Sequence, residues 1–207
     1  MRWFIRFFVV LTLAWLVFAA SPYYALYDFA RAVEAGDLAS IRSRVNFSAV
    51  RISLSKQLVT AYLVATGRES ELKASNKGLV AAAGGTLVDP LLAQYVTPEA
   101  LAGFLAGGRG AAGAAGPGAG ITLPGASVDG GLAPKSLRAA WSLFLGSESR
   151  GFRVIVFPVP PEKSPEDQFR LQFRLSGLTW RLVGVEMPQP VQQRLIQEML
   201  RREGKGA

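Results

Sequence analysis

The chain has 207 residues, half of them apolar, which is enough for one folded domain or one domain interrupted by a linker. Its 23 Lys and Arg against 15 Asp and Glu give +8, spread along the chain without a concentrated basic stripe, so nucleic acid is not expected as a partner. There is no Cys and no His, which excludes disulfides, thiolate or Ser-His-Asp nucleophiles and the Cys- and His-ligated metal sites.

Met1 to Arg6 carries Arg2 and Arg6, and Phe7 to Ala20 follows without a charge, a Gly or a Pro. From Phe7 the run has the length of a signal-peptide core. Counted from Trp3, with Arg6 reaching back to the headgroups, it approaches the ~20 residues that cross a bilayer. Trp3, Trp15, Tyr23 and Tyr24 lie where interfacial aromatics lie, and Pro22 follows the small residues Ala19, Ala20 and Ser21 directly. The segment 1–22 therefore reads as an uncleaved signal anchor. Arg2 and Arg6 place the N-terminus in the cytoplasm and the rest across the inner (cytoplasmic) membrane in the periplasm. The alternative is secretion after cleavage near Ala19.

The exported part divides into a helical stretch 23–105, a Gly/Ala/Pro-rich loop 106–135 and a sheet with a closing helix over 136–207. Leu26, Phe29, Ala30 and Val33 fall at helical spacing in an amphipathic helix beginning near Ala25. Gly36 ends it, and Asp37 caps a short helix bearing Leu38, Ile41 and Val45. Val50, Leu54, Leu58, Ala61, Tyr62 and Ala65 predict a third helix up to Gly67, and Leu87, Leu91, Leu92 and Tyr95 predict another over 86–96. Thr97-Pro98-Glu99 is a helix start, with a capping hydroxyl, a Pro where no amide donor is missed and an acid at the positive end; that helix should reach Leu105. The 106–135 segment cannot bury enough side chain to offset its ordering entropy.

Lys135 to Leu145 is ambiguous between helix and strand. After it the period changes to two. Phe152 to Phe157 reads as a strand ended by Pro158. In the next strand Phe169, Leu171, Phe173 and Leu175 alternate with Gln168, Arg170, Gln172 and Arg174, giving one buried face and one wet, basic face. Ser176-Gly177 turns the chain, and Thr179 to Met187 returns as a third strand with Gly184 where a bulge would sit. Val191 to Arg202, opened by Pro190, closes the chain as an amphipathic helix.

Three phrases, Pro22 to Tyr27, Ala32-Val33-Glu34-Ala35-Gly36-Asp37 and Gly177 to Val185, resemble the bacterial family of domain of unknown function 2939. That resemblance implies a membrane-anchored protein with no assigned activity. The helices-first order, the Glu-Ala-Gly-Asp phrase and the Trp in a late strand are also similar to the NTF2-like superfamily, which implies a cone-shaped sheet around a pocket.

The fold class expected is α+β, with a transmembrane helix, three to five helices on a curved antiparallel sheet of three or more strands, and a closing helix. The one candidate ligand site is basic: Arg153, Arg170, Arg174 and Arg181, whose guanidinium forks match phosphate or carboxylate. The acid pairs Glu166-Asp167 and Glu69/Glu71 read as solvated surface groups, and Trp141 and Trp180 as core. Gly107 to Gly110 lacks both the preceding strand and the Gly-Lys-Ser/Thr ending of a phosphate loop. No catalytic residue, metal ligand or cofactor is assigned. The expected role is a binding module of the cell envelope for a small molecule, a lipid or a protein, with an acid-using NTF2-like pocket enzyme and a structural subunit as alternatives.

Overall fold

The computed structural model describes residues 2–67, 96–105, 137–161 and 163–203. Six helices are described, α1 (Arg2–Glu34), α2 (Leu38–Arg44), α3 (Phe47–Ala65), α4 (Pro98–Leu105), α5 (Leu137–Gly146) and α6 (Gln189–Glu203), with four strands, β1 (Glu148–Ser149), β2 (Val154–Val159), β3 (Phe169–Ser176) and β4 (Thr179–Glu186). The strands form one antiparallel open sheet in the order β1-β2-β3-β4. The α+β class is as expected; among the described residues nothing closes the sheet into a cone. The helix expected over 86–96, apart from its last residue, and the whole loop expected over 106–135 lie outside the described residues.

The predicted break between anchor and first amphipathic helix is absent: α1 runs straight through Pro22. A proline inside a helix leaves the carbonyl four residues earlier without its amide donor. Here that acceptor is Phe18 O, and the hydroxyl of Ser21 donates to it at 2.7 Å. The helix survives because a neighbouring side chain replaces the missing bond, as Ser and Thr do in membrane helices.

Beyond α1 the helix boundaries follow local chemistry. Gly36 adopts φ +65°, the left-handed conformation that ends a helix. The Asp37 carboxylate accepts from the amides of Ala39 and Ser40, at 3.1 Å each, and starts α2. Thr97 Oγ1 accepts from Ala100 N–H at 3.2 Å and starts α4.

One face of the sheet carries the core. Phe169, Leu171 and Phe173 of β3 lie in register with Val159, Phe157 and Ile155 of β2. Leu182 and Val185 of β4 continue the same face, and all are buried. The second half of α1 packs on this face: Phe29 meets Phe173 edge to face at 5.8 Å, and Tyr23 meets Phe157 at 5.4 Å. Full burial of side chains this size stabilises by about 1.5–3 kcal/mol each. Three strand details differ from expectation. Pro158 lies inside β2 rather than ending it, and the short β1 adds a fourth strand. The register shift does fall beside Gly184, but the extra residue is Val183, because Gln172 pairs with Gly184 and Phe173 with Leu182. A Cβ on Gly184 would stand 3.1 Å from both Gln172 Oε1 and Ser53 Oγ of α3, so the helix approaches closely where the glycine leaves room.

The outer edge of β4 is covered by the chain between α2 and α3. Val45 bridges Leu182 in parallel, and Asn46 N–H donates to Leu182 O at 2.8 Å. Further along, the Gln57 amide donates to Val185 O at 2.7 Å and its carbonyl accepts from Met187 N–H at 2.9 Å, as a neighbouring strand would.

Candidate functional site

Alternation along β3 and β4 sends Arg170, Arg174 and Arg181 to the face opposite the core. Arg153 lies in the β1–β2 turn at the Leu175 end of β3, its backbone carbonyl accepting from Leu175 N–H at 2.8 Å. Arg170 lies towards the other end of β3, paired with Glu186, so the four predicted arginines are split between the two ends of the strand.

Arg170 is already neutralised. It pairs with Glu148 of β1 and, at 4.0 Å, with Glu186 of β4. Arg150 joins the same two acids, at 3.6 Å to Glu148 and 3.2 Å to Glu186. Two arginines and two glutamates thus alternate across the sheet and cancel. Exposed pairs of this kind contribute only about 0–1 kcal/mol each, but they remove Arg170 as an anion-binding group. The wet face is basic at one end only, where Arg174 and Arg181 are directly opposed across the strands and both exposed. Among the described residues neither makes an ion pair. Like charges in directly opposed positions destabilise a strand pair.

Beside this end of the sheet lies an open groove of about 510 Å³ between α1 and the β3–β4 turn. Val17, Ala20, Ser21 and Tyr24 line one wall, and Leu178, Thr179 and Trp180 the other. Trp180, buried as expected, donates its indole N–H to Ser21 Oγ at 2.9 Å and ties hairpin to helix. At the groove's far end Arg44 pairs with Asp28 at 2.6 Å. Trp141 differs from expectation: it is 62% exposed on α5 and stacked on Phe144 at 5.6 Å.

Asp28, Glu34, Asp37, Glu99, Glu148, Glu166, Asp167 and Glu186 are all exposed or half-buried, and the buried polar side chain among the described residues is Ser55. Glu166 and Asp167 are solvated turn residues, with Ser164 Oγ donating to Asp167 at 2.7 Å; Glu69 and Glu71 lie outside the described residues. Two carboxyls are held below their ordinary range. Asp37 is lowered chiefly by hydrogen bonds from the Ser40 side chain and amide. Glu99 is lowered chiefly by its own backbone amide, with help from Thr97 and from Arg42, which it meets at 3.2 Å. Both are helix-start groups, so their shifts serve folding. No three acids converge as metal ligands among the described residues.

The one helix among the described residues that is long and apolar enough to cross a membrane is α1, whose length and composition suit an anchor or a signal segment. No curated protein and no solved structure matches the chain. Residues 11–104, from within α1 to α4 and just under half of the chain, match the family model described as protein of unknown function (DUF2939), the family that the sequence resembles.

Proposed function

We propose that this chain is a membrane-tethered module of the cell envelope, held by an uncleaved α1 with its N-terminus in the cytoplasm and its α+β domain in the periplasm, that binds an anionic group at the Arg174/Arg181 end of its sheet. One observation carries the tether: every described residue from Arg2 to Ala20 is exposed, whereas Pro22, Leu26, Phe29, Ala30 and Val33 of the same helix are buried in the core. A run containing Trp3, Phe4, Ile5, Phe7 and Phe8 that its own fold does not cover calls for lipid. Because α1 is continuous, removing residues up to Ala19 would sever a helix that the core and Ser21 both use. The charge at Arg2 and Arg6 supports the orientation. An acid-using NTF2-like pocket enzyme would need a buried carboxylate, and the described core offers a hydroxyl instead.

The test uses the full chain in a bacterial host, with Ser164→Cys added for labelling by a membrane-impermeant maleimide. An uncut mass in the carbonate-washed membrane, labelled in intact spheroplasts, supports the proposal. A soluble chain trimmed near Ala19 refutes the anchor, and labelling only after lysis refutes the orientation. Native mass spectrometry in mild detergent then tests the site: a co-purified anionic molecule should be lost in Arg174→Glu/Arg181→Glu and kept in Arg170→Ala.

A further inference from the structure

The β3–β4 hairpin ends on Leu178, which at 99% exposure is the most exposed large apolar side chain described. It does not project at random. With Thr179 and Trp180 it forms the groove wall facing Val17, Ala20 and Tyr24, and the Trp180–Ser21 hydrogen bond fixes the hairpin at that level of α1. On another flank of α1, Tyr23 touches Phe144 of α5 at 5.4 Å and shares a 2.8 Å hydrogen bond with Ser147. That contact brings the exposed Trp141, Phe144 and Leu145 beside the helix. The apolar segment thus leaves the domain between two apolar projections.

Their level along α1 identifies what they meet. A hydrocarbon core of ~30 Å takes ~20 helical residues at ~1.5 Å each. With Arg2 and Arg6 at the cytoplasmic headgroups, that core ends close to Ser21–Tyr24, the turn to which both projections attach. Trp and Tyr favour this interfacial layer, and basic side chains beside apolar ones favour anionic lipid. Arg138 on α5 and the Arg174/Arg181 pair behind Leu178 are exposed and supply that charge. We propose that the Leu178 tip and the Trp141/Phe144 face of α5 seat in the bilayer interface around α1, so that the domain lies against the membrane and reads lipid phosphate there.

The inference rests on α1 being the anchor, and the test separates the two. The chain has no native Cys, so an environment-sensitive fluorophore can be placed singly at Leu178→Cys, Trp141→Cys, Leu13→Cys and Ser164→Cys. Leu178 and Trp141 are exposed and Ser164 lies in the turn at the other end of the sheet, so these three labels remove little packing. The full chain is reconstituted in phosphatidylethanolamine/phosphatidylglycerol vesicles containing lipids spin-labelled near the headgroup or deep in the acyl chain. Loss of emission at 178 and 141 with the shallow label, at 13 with the deep label, and at 164 with neither is the expected result. If 13 is quenched while 178 and 141 behave like 164, the anchor stands and the interfacial seat is wrong. If 178 and 141 are shielded from water yet unquenched by either lipid, protein covers them and the inference fails. If 13 is unquenched, anchor and inference fall together.

Discussion

Replacing Ser21 by Ala removes both bonds that one hydroxyl makes: its donation to Phe18 O, left open by Pro22, and its acceptance from the Trp180 indole. A hydrogen bond contributes about 1 kcal/mol net, and a buried donor left unpaired costs about 1–3 kcal/mol. Since Trp180 is only 7% exposed, Ser21→Ala should cost about 2–3 kcal/mol, most of it from the stranded indole N–H. Pro22→Ala then isolates the repair. The substituted alanine has an amide that can serve Phe18 O, so in that background Ser21→Ala loses only the Trp180 part and should cost about 1 kcal/mol less. The proline's own packing, which is buried here, cancels in the cycle. The assay is guanidinium unfolding of the four full-length proteins in maltoside micelles, followed by circular dichroism. Equal costs of Ser21→Ala in the two backgrounds, to within about 0.3 kcal/mol, would refute the repair.

Gln57→Leu should destabilise by about 2–4 kcal/mol in the same assay, because it strands Val185 O and Met187 N–H together, while Gln57→Glu, able to accept but not donate, should fall between Leu and wild type. Asp37 has a folded pKa below its unfolded value, so its contribution is fully present above the unfolded pKa and is lost as pH falls through the folded one. Asp37→Asn should therefore flatten the acid limb of the stability profile below about pH 4, and an unchanged limb would show that the cap does not hold the charge.

What could be read in the sequence was whatever repeats with a period or sits at a terminus. The alternation of Phe169, Leu171 and Phe173 with Arg170, Gln172 and Arg174 gave β3 its two faces, and Thr97-Pro98-Glu99 located the start of α4. The continuity of α1 was hidden because a proline is a stop signal to any local rule, and the hydroxyl that cancels it is only one residue away but acts through three-dimensional geometry. The strand β1 is too short to show a period. The neutralisation of Arg170 depends on Glu148 and Glu186, which come from two other strands, so a row of arginines reads as basic until the sheet is assembled. Trp141 shows the complementary limit: its apolar neighbours in sequence suggest a core position and say nothing about what covers it.

The cover over β4 has a consequence for how the chain is made. An open strand edge is a template on which further copies can add, and chains are synthesised and begin to fold from the N-terminus. Gln57 and Val185 are 128 residues apart, with Val45 and Asn46 further upstream still. The groups that occupy the last strand's edge are therefore already present when that strand is translated. A second copy would have to compete with a partner tethered to the same chain, whose effective concentration is set by the linker and not by how much protein the cell holds.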